Sequence, residues 1–378
     1  MCVAQICDTL ILGGGVIGLS LAYELAGQGR RVQVIDRAQP GREASWAAAG
    51  IIPACKFRMR AAPLEWLSGF SAQLHAEWAA RLREETGLDN GFRRSGGIYL
   101  ADSEANSVEL LHTCERWRRE GLTVKWLHSA DLDQIEPALA GIYDRCHVHG
   151  AALVAEEIQI RSPRHLRALL VACRKRGVQI SSGIEAFDFE IREGRIDSVL
   201  TNVGTLAADQ FVLAAGAWSQ PIAARLGLKM QVKPMRGQVL LLDAQRILIQ
   251  RIVNLGRNYL LPRDDGRILV GTTLEDVGFD RNNTAEAIAD LLRFATDLAP
   301  ELSSANLERA WAGFRPASID ELPYLGRVPN LKNAFVATGH FRSGLWWSTG
   351  TAVVLSRLIR GESPGIDLTP FRVDRGGG

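Results

Sequence analysis

Short continuous apolar runs alternate along this chain with stretches in which apolar residues recur every three or four positions. Residues 8–12 form such a run, the signature of a strand buried on both faces. Gly13-Gly14-Gly15-Val16-Ile17-Gly18 follows, and residues 19–28 then take helical spacing up to Gly29, a helix-ending glycine. Residues 32–36 make a second strand. Strand, glycine turn, helix and strand within thirty residues predict one parallel crossover unit. Further on, Leu64, Leu67, Phe70 and Leu74 predict a helix over 63–86, residues 96–100 a strand entry, and 106–120 another helix. From Arg161 the pattern predicts a helix over 163–176, a strand over 178–181, hairpin strands at 187–190 and 198–201, and a buried strand over 211–214 running into Gly216. Between 229 and 271 it turns to β, with strands at 239–242, 259–261 and 268–270. A helix at 284–298, a buried strand at 334–337 and a C-terminal helix after Gly339 complete the chain.

No repeat, low-complexity tract or linker separates these parts. With 378 residues the chain exceeds one ordinary core, so the missing linker predicts a chain that crosses between two domains more than once. The strands at 8–12, 211–214 and 334–337 read as parts of one parallel sheet, and the β-rich stretches between them as a second domain. The expected fold class is α/β: a Rossmann-like nucleotide-binding domain from 1–85, 146–228 and 322–378, and an antiparallel-β-rich (α+β) domain from 86–145 and 229–321.

Two runs resemble membrane or export segments. The first, 10–26, lacks a basic start, contains Glu24 and is broken by glycines. The second, 345–359, is interrupted by Ser348, Thr349, Thr351, Ser356 and Arg357, and reads as a buried helix. No membrane span is expected. Hydrophobic residues make up 47% and charged residues 23%, as in globular proteins. The net charge of +2 argues against a nucleic-acid partner. The six cysteines (2, 7, 55, 114, 146 and 173) form no C-x-x-C pair and no Cys/His cluster, so neither a metal site nor a disulfide framework is expected, and a cytoplasmic location fits.

The glycine turn carries the first chemistry. Gly13 permits the tight turn off the strand, Gly15 lets the backbone approach a pyrophosphate, and Gly18 lets the helix pack on the sheet. The helix N-terminus offers N–H groups and its positive dipole end to phosphates. Asp36, at the end of the second strand, suits a ribose hydroxyl. The turn alone does not separate FAD from NAD. Two later segments favour a flavin: Phe211–Ser219, a strand running into the small-residue turn at Gly216, and Val336–Gly344, a strand running into a glycine-rich helix start able to favour negative charge on a reduced ring. Either one taken singly is also compatible with an ordinary β-to-α turn.

Four longer motifs are more specific: Ala44-Ser-Trp-Ala-Ala-Ala-Gly-Ile51, Trp311-Ala-Gly313-Phe-Arg315-Pro316, Leu322-Pro-Tyr-Leu-Gly326 and Gly339-His-Phe-Arg-Ser-Gly344. Through them the chain resembles the D-amino-acid-oxidase-type flavoproteins nearly end to end, and within these the glycine oxidases of thiamine biosynthesis. The resemblance implies noncovalent FAD held at Gly13, Gly15, Val16, Ile17 and Gly18, at Asp36 with Arg37, and on a small-residue loop of Ala44, Ser45, Ala49, Gly50 and Ile51. It implies a backbone contact to adenine near Glu185, the small-residue positions Gly216 and Gly313 beside the cofactor, and a cover over the flavin from His340, Phe341, Arg342, Ser343, Gly344, Leu345 and Trp346. It also implies that Arg315, Tyr259 and Arg342 face the substrate.

The residues support those roles unequally. Arg315 is the first choice for a substrate carboxylate, because a guanidinium fork bonds both oxygens; the plain alternative is a loop brace to Asp320 or Glu321. Tyr259 suits the same carboxylate or, alternatively, a core position. Arg342 reads more as shaping the loop over the ring, and His340 as structural. No acid/base is required, since hydride transfer needs positioning above all. Cys55 matches no flavin-attachment motif. Trp346 and Trp347 depart from the family's aliphatic residues and are expected near the flavin or its helix. Leu274 stands where a pocket methionine is usual, and Arg257 adds positive charge near the substrate mouth. The expected reaction is oxidation of glycine, sarcosine or a small D-amino acid by dioxygen to imine or oxo acid, ammonia and hydrogen peroxide, feeding thiazole synthesis. Rival readings are a D-amino-acid or 2-hydroxy-acid dehydrogenase using a quinone, a tRNA-modifying flavoprotein, and a non-catalytic FAD module. Homo-oligomerisation stays open.

Overall fold

In the computed structural model residues 7–375 are described; Cys2 lies outside them. The strand Cys7–Leu12, with Leu10 and Ile11 fully buried, sits at the centre of a parallel array. It pairs with Val32–Asp36 on one side and Gly204–Leu213 on the other. Gln179–Ser182 extends the array past the first neighbour and Ala334–Thr338 past the second. Tyr324–Arg327 adds an antiparallel edge strand. The long strand Gly204–Leu213 also carries the meander Ala186–Arg192 and Arg195–Thr201 on its outer half, so the expected strand at 211–214 is its buried end. Helices Val16–Gly27, Pro63–Thr86, Ser162–Lys175 and Gly344–Ile359 bury Leu19, Trp78, Leu166 and Leu355 in one apolar cluster against this sheet. The first of them begins at Val16, three residues before the expected start, because the turn from the strand is that tight. A side chain on Gly13 (φ +117°) would collide with the Ala214 carbonyl, and one on Gly18 with the Gly13 carbonyl.

A second eight-stranded sheet runs in the order Asn306–Ser318, Val232–Asp243, Arg267–Gly271, Asn258–Pro262, Ile252–Leu255, Gly97–Ala101, Gly150–Val154 and Val124–Leu127. Its pairs are antiparallel except the parallel contact of Ile252–Leu255 with Gly97–Ala101. Thr284 accepts the Ala287 N–H and starts the helix Ala285–Leu298, which buries Leu291, Ala295 and Leu298 against Leu240 and Ile268. The chain leaves the first sheet after Asp36, returns after Val154, leaves again after Leu213 and returns after Ser318. Gly150–Val154 pairs in the second sheet, whereas a division at 146 assigns it to the first; its hydrogen bonds to Gly97–Ala101 and Val124–Leu127 fix it there. A small ribbon of Ile51–Ile52, Ile158–Gln159 and Arg93–Arg94 sits where the layers meet. No helix among the described residues is long and apolar enough to cross a membrane.

Candidate active site

One cavity of about 650 Å³ runs from the glycine turn to the second sheet. Its floor is made by the carboxyl ends of four parallel strands, at Leu12, Ile35, Ala214 and Ala337, where open parallel sheets bind ligands. Gly13, Gly15, Val16, Ile17, Asp36, Arg37, Ala44, Ser45, Ala49, Gly50, Ile51, Glu185 and Gly216 line it, and so do Gly313, Tyr259, Arg315, His340, Phe341, Arg342, Gly344 and Leu345. Residues from three distant parts of the sequence thus meet around one space.

At the glycine-turn end the backbone is already organised. The Gly14 N–H donates to Asp36 Oδ2 and the Ala38 N–H to Oδ1, each at 2.8 Å, so Asp36 ties the turn to the second strand. The Val16 N–H donates to Ser45 Oγ at 2.9 Å, which places a hydroxyl on the helix N-terminus. Arg37 stacks its guanidinium 3.9 Å from the centre of the Trp218 ring, a cation–π contact at the cavity wall. Glu185 lines this end, but its N–H donates to Asn202 Oδ1 (2.9 Å) and its carbonyl accepts the Asn202 N–H (3.2 Å).

The small-residue loop is held from the opposite domain. Arg263, buried at 8% exposure, donates to the Ala49 carbonyl (2.7 Å), Gln159 Oε1 (3.1 Å) and the Ile160 carbonyl (3.3 Å). Burial pulls its pKa down to about 10, so it stays charged at neutral pH. The Trp311 indole donates to the Ala47 carbonyl at 3.3 Å and packs edge-on to Trp46. Neither role has a sequence signal, because the acceptors on the loop, at Ala49 and Ala47, are main-chain carbonyls.

Arg315 stands on the strand Asn306–Ser318, in register with Met235 of Val232–Asp243. Its Nη2 donates to Thr272 Oγ1 (2.7 Å) and its Nη1 to the Thr273 carbonyl (3.1 Å). Among the described residues Arg315 pairs with neither Asp320 nor Glu321, the two partners of the loop-brace alternative, and Asp320 is held by Arg375. Burial lowers the Arg315 pKa, Tyr259 opposes that, and Arg342 adds to it. A Cβ on Gly237 would overlap the Arg315 guanidinium, and one on Gly271 would overlap the Tyr259 ring and hydroxyl. These two bare positions across the sheet are what let the two side chains lie flat and face the cavity. Burial pushes the Tyr259 pKa up to about 12, with Arg315 and Arg263 working against it, so its hydroxyl keeps a proton to donate.

Three of the expected cofactor residues do not line the cavity. Gly18 serves helix packing. Ser343 ends the short turn Phe341–Ser343 without lining the cavity. Trp346 turns away: its indole donates to the Ser68 carbonyl (3.1 Å), and that of Trp347 to Ser68 Oγ (3.0 Å), so the pair anchors the helix Pro63–Thr86 and does not narrow the pocket. Leu274 also stays outside the lining. His340 lines the cavity yet is fixed by Thr351 Oγ1 at 3.1 Å, and burial lowers its pKa to about 3, which keeps it neutral. Thr272 and Asn254 line the cavity without having been singled out by the sequence.

Residues 8–358 match the family described as DAO, FAD dependent oxidoreductase. The chain belongs to this family. It is 35% identical over 371 residues to the glycine oxidase of Geobacillus kaustophilus, covering 97% of both chains. The crystal structure of glycine oxidase from that organism superimposes with a TM-score of 0.92 at 34% identity, over 98% of this chain and 99% of that one. The bifunctional protein ThiO/ThiG of a Nostoc species is 32% identical over 97% of this chain and 55% of its own length.

FAD is therefore the cofactor, and the cavity fits it. The glycine turn has no Cβ where a pyrophosphate must approach, and one cavity joins that turn to the strand ends and to the second sheet. A Cβ on Gly313 would come within 2.5 Å of Ala47 Cβ, so only glycine leaves the small-residue loop in its place against this strand.

Proposed function

We propose that the protein oxidises glycine, or a similarly small amino acid such as sarcosine or a small D-amino acid, to the imine. Hydrolysis then gives the oxo acid and ammonia, or methylamine from sarcosine, and dioxygen becomes hydrogen peroxide. The observation that carries this reading is Arg315 beside Tyr259, facing the same cavity as the glycine turn. The chemistry FAD supplies when bound is acceptance of a hydride and its release to dioxygen. The protein's part is placement. Thr272 and Thr273 fix two guanidinium N–H groups of Arg315, and the remaining ones meet a carboxylate. The Tyr259 hydroxyl adds a donor. Two fixed points on the carboxylate would leave the bound amino acid little rotational freedom, which is where such catalysis gains most.

Cofactor attachment is noncovalent in this reading. The Cys55 thiol lies against the Ser68 carbonyl at 3.5 Å, outside the cavity lining, and burial pushes its pKa up to about 12, so it offers no thiolate. The likeness to ThiO/ThiG supports a role in supplying glycine imine to thiazole synthesis.

The test is anaerobic mixing of the yellow holoenzyme with glycine, sarcosine and D-alanine, followed by air. Bleaching on mixing and peroxide on aeration are expected. Bleaching without peroxide, with rapid reduction of a quinone dye, would instead make it a dehydrogenase, and a flavin that none of the three bleaches would sink the reading.

A further inference from the structure

The substrate end of the cavity holds more positive charge than one carboxylate requires. Arg315 and Tyr259 suffice for the α-carboxylate. Arg257 and Arg342 line the same cavity, and both are exposed there. Among the described residues neither side chain has an ion pair or a hydrogen bond; Arg342 only lies over the Phe341 ring, 5.1 Å from its centre. The carboxylates that line the cavity are committed elsewhere. Asp36 receives the Gly14 and Ala38 N–H groups, Glu43 is paired with Arg281, and Glu185 stands beside Asp36 at the far end, next to Ile184, whose N–H bonds the Asp36 carbonyl.

The placement of Arg257 is set by the strand. Ile252–Leu255 and Asn258–Pro262 pair with Leu255 opposite Asn258 and Asn254 opposite Tyr259, which leaves Gly256 and Arg257 as the turn. Arg257, in the turn two residues before Tyr259 and so at most about 7 Å further along the chain, lines the same cavity. An arginine side chain easily closes that gap. Arg342 acts against the charge on Arg315, and unpaired guanidinium groups lining one cavity favour anions beside them. One α-carboxylate answers Arg315 and leaves Arg257 open.

We propose that the site has a second anion subsite and takes small amino acids bearing two anionic groups in preference to monoanionic analogues of the same length, with Arg257 as the specificity-determining residue. This rests on the reading that Arg315 takes the α-carboxylate. The second group sits on the substituent of the amine or on the side chain, as in iminodiacetate or D-aspartate. Glycine remains a substrate that leaves the subsite unused.

The test separates binding from turnover. Diglycolate and ethoxyacetate have similar length, carry two charges and one, and contain no amine to oxidise. Each is titrated into the FAD holoenzyme at low ionic strength, and the shift of the flavin absorption gives Kd. At least tenfold tighter binding of diglycolate is expected. In Arg257→Gln the preference should fall towards unity, and in Arg257→Lys most of it should survive, because the subsite needs charge more than a fork. Equal binding of the two anions by the unaltered protein, or the same preference in Arg257→Gln, overturns the proposal. The kinetic arm compares kcat/KM for iminodiacetate and N-ethylglycine and should show the same order. If no amine is oxidised, the proposed oxidase activity falls, while the Kd ratio still decides the anion subsite.

Discussion

Arg315 is placed by a residue that has no side chain. Its guanidinium lies in the space that a Cβ at Gly237 would take, and Thr272 and Thr273 then fix two of its N–H groups. Two different substitutions should therefore damage one function. Arg315→Ala removes charge-assisted bonds worth about 1.5–3 kcal/mol each, so KM for glycine should rise at least tenfold to a hundredfold while the FAD spectrum persists. Gly237→Ala leaves every substrate-facing residue intact but pushes the guanidinium out of its seat, and the same rise in KM with retained FAD is expected. A Gly237→Ala enzyme with unaltered kinetics would mean that Arg315 does not clamp the carboxylate from this position. The sequence made Arg315 and Tyr259 visible through their motifs. It held no sign of Gly237 or Gly271 as partners, because those roles exist only once strands Val232–Asp243 and Arg267–Gly271 are aligned with their neighbours.

At the scale of elements, the small-residue loop from Ala44 to Ile51 has little to hold it. Its only helix is the short Ala44–Ala47, and it lacks long side chains apart from Trp46. Arg263 and Trp311, both from the second domain, hold its Ala49 and Ala47 carbonyls. Replacing Arg263 with Met keeps the volume but takes the donor from two buried oxygens, at about 1–3 kcal/mol each, and from the half-buried Ala49 carbonyl. FAD retention on dialysis should drop, with a lower Tm of the holoenzyme, although Arg263 does not itself line the cavity; full retention at unchanged Tm would refute this bracing. The same contrast explains which elements were legible. The crossover unit at 7–36 declared itself through apolar runs and a glycine turn, which are local signals. The long strand Asn306–Ser318 did not, because its first four residues are exposed and most of the rest are half-buried between solvent and cavity, so no alternation survives, and Gly313 and Pro316 read as loop residues. Its partner Val232–Asp243 showed only the part around 239–242, where the residues are aliphatic; the buried positions just before it are Arg236, Gly237 and Gln238. Trp346 misled for a related reason: adjacency to the glycine-rich helix start is a sequence fact, but the helix turn directs its indole to Ser68.

For the whole molecule, buried titratable groups set a direction for acid stability. His75, His165 and His340 are buried, and burial holds their pKa values near 4, 3 and 3. His75 Nε2 lies 3.1 and 2.8 Å from the Leu345 and Trp346 carbonyls, an arrangement that keeps a neutral ring donating from that nitrogen. All three stay unprotonated in the fold while the unfolded chain takes up protons below about pH 6.5. The unfolded state then binds more protons, so their stabilisation is complete above pH 6.5 and is lost as pH falls towards the folded values, with a slope approaching about 4 kcal/mol per pH unit for three such groups. Glu157 opposes this. It is buried in the second domain, where it accepts the Tyr99 hydroxyl and, at 3.2 Å, the Asn254 amide, and burial pushes its pKa up to about 7. Its contribution is present below about pH 4.5 and is lost as pH rises through 7, so between those values it offsets about one histidine's worth of the slope. The net expectation is a Tm that falls as pH drops from 6.5 to 4.5. Glu157→Gln, which still accepts from Tyr99, removes the opposing group and should steepen that fall; a Tm profile that is flat over this range, or one made shallower by the substitution, would contradict the assignment. His75 and His340 bracket the start of the helix Gly344–Ile359 and His75 lies beside His165, with ring centres 6.1 Å apart. Protonation should therefore loosen the FAD-binding layer before the second sheet, and release of yellow cofactor on acidification should precede the loss of β-sheet signal.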